Sequence, residues 1–96
     1  MMTISLDSRP RLAAKARLRW DRRGERYMLL YPERGLVLNA TAADVVRLCT
    51  GEHTVGAIIE QLAAKYASQP REAVEQEVRL FLTRMAERAL LRSDDD

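Results

Sequence analysis

Cysteine and histidine each occur once in these 96 residues, as Cys49 and His53. One cysteine excludes a disulfide framework and a cysteine-based metal cluster, and it suits the reducing cytosol, so a cytoplasmic protein is expected. One histidine leaves little from which to assemble a nucleophile with its base and orienting partner, or a set of metal ligands. No apolar run approaches the roughly 20 residues needed to span a bilayer, so no membrane partner is expected. Met1 to Leu12 has neither the h-region nor the cleavage site of a signal peptide. Repeats and low-complexity tracts are also missing. A chain of this length forms one small domain that buries only about two-thirds of its unfolded surface. That leaves little room for both a core and a deep substrate pocket.

What is present is ordinary for a soluble protein, with 47% hydrophobic and 31% charged residues. The net charge of +2 is unevenly spread. Up to Ala40 there are nine Arg and Lys against four acids, and from Thr41 onward seven against ten. The basic front half keeps nucleic acid open as a partner without demanding it.

Met1 to Leu12 lacks sustained periodicity and reads as a flexible lead-in. From Ala14 the pattern has period two. Ala16, Leu18 and Trp20 alternate with Lys15, Arg17 and Arg19, which describes a half-buried strand. Asp21-Arg22-Arg23-Gly24 is a hairpin turn with a left-handed residue to close it. Glu25 to Tyr31 is a second strand, ended by Pro32, and Gly35 can take a positive φ to complete the next reversal. Leu36-Val37-Leu38 makes a third, short strand. At Asn39 the period changes to 3.6. Thr41 with Asp44 resembles a capping box, Val45, Val46, Leu48 and Cys49 form the apolar stripe, and Gly51 is a stop. Thr54 caps a second helix whose core face carries Val55, Ile58, Ile59, Leu62, Ala63 and Tyr66. After Pro70 a long third helix lines the core with Ala73, Val74, Val78, Phe81, Leu82 and Met85. The fold class is therefore α+β: a three-stranded antiparallel meander followed by three helices, winged-helix-like. Residues 13–92 form the folded unit, between the lead-in (1–12) and a solvated acidic tail (93–96).

Covalent chemistry finds no home in this pattern. His53 lies in the Gly51-Glu52-His53-Thr54 loop and reads as an exposed loop side chain. Cys49, on an apolar stripe with nothing basic in register, reads as a small buried hydrophobe. Gly51 and Gly56 have phosphate-loop spacing, but Ala57-Ile58 stands where Lys-Ser/Thr is required. Glu72, Glu75, Glu77 and Glu87 are interleaved with Arg on outer helix faces. Trp20 shares the parity of Leu18 and so belongs with the core. No enzyme activity and no cofactor are expected.

Binding remains, in two forms. Arg17, Arg19, Arg22 and Arg23 on the first hairpin suit phosphates, yet the second helix offers only Glu60, Gln61 and Lys65 to a DNA groove. The alternative is peptide capture by strand addition. A meander leaves its last strand unpaired on one side, and Leu36–Asn39 carries no Lys or Pro to blunt that edge. A second copy of the chain could cover the same edge, giving a homodimer.

Three runs sharpen the choice: Tyr31-Pro32-Glu33-Arg34-Gly35, Leu38-Asn39-Ala40-Thr41-Ala42 and Gly51-Glu52-His53-Thr54-Val55. With Arg9-Pro10-Arg11-Leu12 at the front and Phe81-Leu82 to Ala89-Leu90-Leu91 at the end, this ordered set resembles the pyrroloquinoline quinone (PQQ) biosynthesis protein D family. The resemblance implies a small peptide chaperone, a recognition element for ribosomally made peptides. It would bind the precursor peptide and present it to a radical S-adenosylmethionine enzyme that joins a Glu and a Tyr of that peptide. Carried over, it places the peptide on Leu36, Val37, Leu38 and Asn39. The helical wall would come from Val45, Leu48 and Cys49, and from Phe81 and Met85. The Arg-rich face of the first hairpin is one candidate for the surface that meets the enzyme, and a merely solvated face is the other reading.

Overall fold

The computed structural model describes residues 4–93. Eight elements follow one another: β1 (Pro10–Leu12), β2 (Arg17–Asp21), β3 (Arg26–Tyr31), β4 (Arg34–Leu38), α1 (Ala40–Leu48), α2 (Val55–Lys65), α3 (Arg71–Glu87) and β5 (Leu91–Ser93). The expected meander is present as a three-stranded antiparallel sheet in the order β2-β3-β4, followed by three helices. Leu29 sits at the centre of β3, fully buried, between Leu18 and Leu36 on the neighbouring strands. Period-two alternation puts these leucines on the helix-facing side of the sheet.

Two clusters of buried side chains share the interior. A helical core joins Val45 of α1 and Cys49 at its C-cap with Ile58, Ile59 and Leu62 of α2 and Val74, Val78 and Leu82 of α3. A sheet core joins Ala16, Leu29 and Leu38 with Ala43, Val46, Met85 and Leu90. Leu12, Phe81 and Leu91 pack against both clusters.

Several local expectations are corrected. The lead-in is tied down over residues 4–12 rather than free. β1 pairs with β5 in a second, two-stranded antiparallel sheet. Ser8 and Leu6 present their carbonyls to the N–H groups of Val55 (2.8 Å) and Gly56 (3.0 Å). The Thr54 hydroxyl accepts from Ala57 N–H at 3.0 Å. A helix leaves its first N–H groups without internal partners, and here the lead-in supplies what the cap does not. The tail expectation holds no part of Ser93, which pairs with Pro10, and its remainder lies outside the described residues.

The reversals also differ in detail. The positive φ between β3 and β4 falls on Glu33 (62°), not on Gly35. Pro32 fixes the first loop position, and a type II turn then requires the positive φ at the second. Between β2 and β3 the left-handed residue is Glu25 (49°) rather than Gly24. Gly24 serves a close approach instead: a Cβ there would lie 2.7 Å from Asp21 Oδ2, inside the Asp21–Arg26 ion pair. The cap of α1 is Asn39, whose side chain accepts from Ala42 N–H at 2.8 Å, leaving Thr41 and Asp44 inside the helix.

Candidate functional site

Strand β4 has one hydrogen-bonded neighbour, β3, so its other side is open among the described residues. A two-residue hairpin closes on a hydrogen-bonded pair, here Tyr31 with Arg34, and such pairs alternate along an antiparallel ladder. The backbone N–H and C=O of Gly35 and Val37 therefore point to the open side. At the other edge of the sheet, β2 carries Arg17 and Arg19, charges of the kind that discourage strand pairing. β4 carries no such protection beyond Arg34 at its turn end.

The end of β4 runs into a cleft of about 160 Å³ between the start of α1 and the middle of α3. Asn39 stands at its mouth. Besides capping α1, its amide donates to Glu77 Oε1 at 3.5 Å, which links strand end, α1 and α3. Thr41, Ala42 and Val45 of α1 form one wall, and Glu77, Leu80, Phe81 and Arg84 of α3 the other. Leu80 is 52% exposed, while Val45 is fully buried and makes the floor. An apolar centre thus lies between a carboxylate and a guanidinium seven residues, or about 10 Å, apart along the helix.

The nine residues expected at the site divide. Asn39, Val45 and Phe81 line the cleft, and Leu36, Val37 and Leu38 lie on the strand that leads into it. Of these three, Leu38 is buried under the helices, Leu36 is half-buried, and Val37 is exposed on the opposite sheet face. Leu48, Cys49 and Met85 are not in the cleft. Leu48 opens on a separate depression with Asp44, Arg47, Gln61 and Lys65, because the 100° step per residue turns it away from Ala42. Cys49 shares Val45's side of α1 but lies one turn deeper, within the helical core. Burial pushes its thiol up to about 12, so it is protonated at neutral pH and no nucleophile. Met85 fills the sheet core. Thr41, Ala42, Glu77, Leu80 and Arg84 were not expected. The signal for Leu80 was a leucine one position off the buried stripe of α3, and Glu77, Leu80, Phe81 and Arg84 follow helical spacing.

Other candidates resolve structurally. The N–H groups of Gly51 and Gly56 are already donated to Pro10 and Leu6 carbonyls, so neither is free to cradle a phosphate. Lys65 is engaged by Asp44, and Glu60 by Arg71, which leaves Gln61 alone of the three α2 residues for a DNA groove. Trp20 is on the expected sheet face but 48% exposed, beyond the reach of the helices at the hairpin end. It meets Tyr27 edge-on at 4.8 Å, and Arg47 lies 4.5 Å over the Tyr27 ring. Among the described residues no three His, Cys, Asp or Glu converge as metal ligands, and no helix is long and apolar enough to cross a membrane.

Known proteins share this arrangement. A PqqA binding protein of Bradyrhizobium diazoefficiens is 41% identical over 90 residues, covering 94% of this chain and 86% of the relative. The solution NMR structure of the PqqD truncation of Methylobacterium extorquens PqqCD is that of a functional, stand-alone recognition element for ribosomally synthesised and post-translationally modified peptides. It matches with a TM-score of 0.77 at 31% identity, covering 94% of this chain and 95% of that one. TbiB1, in complex with the TbiA(β) leader peptide, shares the fold with a TM-score of 0.69 at 21% identity, over 85% of this chain and 94% of that one. The family model for coenzyme PQQ synthesis protein D matches residues 26–91. From the second strand of the meander to the closing strand β5, and with a relative aligned along nearly its whole length, the chain belongs to the PqqD family.

Proposed function

We propose that the chain captures the PqqA precursor peptide in PQQ biosynthesis by adding it as a strand to β4, and presents it to a radical S-adenosylmethionine enzyme. It works in the cytoplasm and does no covalent chemistry of its own. The observation that carries this reading is the unprotected edge of β4 beside an apolar cleft. Backbone groups of Gly35 and Val37 would set the register of the peptide, and the cleft would take one of its apolar side chains. Glu77 and Arg84 at the two ends of that cleft would bias which charged residues flank the anchor.

Val37→Pro tests it. The side chain is 53% exposed and the N–H faces outward, so proline fits this edge without opening the core or the β3 ladder. It removes one donor worth about 1 kcal/mol and obstructs the edge, so peptide affinity should fall at least about tenfold. Titration calorimetry with the precursor peptide reads the loss. A folded Val37→Pro chain with unchanged affinity would rule out strand addition at β4.

A further inference from the structure

The sheet has a second face, and nothing described covers it. Helices α1 and α3 pack on the side of Leu29 and Leu38. On the outer side, register places Arg19 beside Met28 and Met28 beside Val37, with Arg17 beside Leu30 and Leu30 beside Gly35. Gly35 lets the aliphatic layer lie flat across the strands: a Cβ there would stand 3.0 Å from Met28 Cε and 3.3 Å from Leu30 Cδ2. Toward the first hairpin the layer opens into a hollow of about 390 Å³ lined by Arg19, Arg22, Arg23, Met28 and Leu30, with Trp20 at its border and Asp21, whose carboxylate is paired with Arg26, as its one acid. Among the described residues none of Arg17, Arg19, Arg22 and Arg23 has a carboxylate within ion-pair distance. An apolar centre with an arginine rim is the composition of a protein-binding surface.

The geometry points to the outer face of the meander as the docking surface for the enzyme that receives the peptide, through an acidic patch of that enzyme with an apolar centre. The inference rests on the capture reading above. Charge selects the acidic partner, since the rim arginines are unopposed within the described chain. Continuity selects the enzyme: Val37 belongs both to this face and to the strand that takes the peptide. A peptide added to β4 extends the same sheet, so a protein seated on the outer face meets alternate side chains of the bound peptide. Nucleic acid suits the surface less well. Its middle is aliphatic rather than polar, and Trp20 is already held edge-on by Tyr27.

The test uses the full chain, the purified radical S-adenosylmethionine enzyme and the precursor peptide. Arg19→Glu with Arg23→Glu reverses the rim at exposed positions that lie outside the peptide cleft. Affinity for the enzyme should fall at least tenfold, affinity for the peptide should stay within twofold, and binding of the unaltered chain to the enzyme should weaken as sodium chloride is raised. Unchanged enzyme affinity in the folded double variant overturns the proposal. So does finding that the substitutions abolish only binding to a single-stranded oligonucleotide, or only self-association in sedimentation. Failure of the unaltered chain to bind peptide, with enzyme affinity still lowered by the substitutions, would count against the capture reading and leave this surface standing.

Discussion

Asp44 is the buried charged residue of the described chain, and three side chains converge on it. Lys65 Nζ lies 2.8 Å and Tyr66 Oη 2.6 Å from Oδ2, and Arg47 Nη1 lies 2.9 Å from Oδ1. Burial, the largest single influence, pushes its carboxyl up, yet the hydrogen bonds from Lys65 and Tyr66, with the charges of Lys65 and Arg47, hold it below the ordinary value. The residue thereby ties α1 to the end of α2. Arg47 extends the tie onto the Tyr27 ring of the sheet. A carboxyl with a lowered folded pKa contributes stability above its unfolded pKa, and that contribution is lost as pH falls through the folded one. Asp44→Asn should cost about 2 kcal/mol at pH 7, since it removes charge from three hydrogen bonds of a nearly buried group. Urea melts from pH 7 down to pH 2 check both points: the gap between wild type and variant should narrow below about pH 4. A gap that stays constant throughout would mean that the charge of Asp44 contributes nothing.

Among the elements, the end of α3 shows how a backbone motif forms without its usual residue. Ala89 N–H bonds to the Ala86 carbonyl at 3.0 Å and Leu90 N–H to the Met85 carbonyl at 2.9 Å, which is the Schellman pairing. The left-handed position is taken by Ala89 at φ 57° instead of glycine. Burial of Leu90 against Met85 in the sheet core holds the turn in place. Ala89→Gly relieves the left-handed strain of about 1–2 kcal/mol but adds chain entropy to the unfolded state, so a net gain of about 0.5–1 kcal/mol is expected. A thermal melt that moved down instead would show that Ala89 is unstrained. This turn was not legible in the sequence, and neither were Glu25 and Glu33, because only glycine advertises a positive φ. Period-two and period-3.6 patterns did reveal β2, β3 and the three helices, and Thr54 did announce its cap. Strands β1 and β5 are three residues each, too short for periodicity, and exist through pairing between chain ends. The open edge of β4 was legible from strand order. Leu80, Glu77 and Arg84 were not, since a groove wall depends on where α3 crosses the sheet and no local pattern records that crossing.

For the whole molecule, that closure of the two chain ends has a mechanical role. The helical core and the sheet core are separate clusters, and the cleft between α1 and α3 opens along their seam, where Phe81 touches both. Leu12 and Leu91 also touch both, and they face each other across the β1–β5 pair. Leu12 N–H further bonds to the Cys49 carbonyl at 2.9 Å, and Ala13 N–H to the Leu90 carbonyl at 2.8 Å, so the small sheet is stitched to α1 and to the exit of α3. If this pair fastens the two cores together, each side chain should matter more in the presence of the other. Leu12→Ala and Leu91→Ala should each cost about 2 kcal/mol, at the low end for leucine truncation because both are only partly buried. The double variant should fall short of the sum by at least about 0.5 kcal/mol, the coupling expected of directly opposed residues. Urea denaturation of the four chains measures it. Additive losses would mean the two leucines serve the cores independently, and a negligible loss for Leu12→Ala would return residues 4–12 to the loose lead-in that their sequence suggests. With the pair intact, the seam between the two cores is held at the small sheet as well as at Phe81.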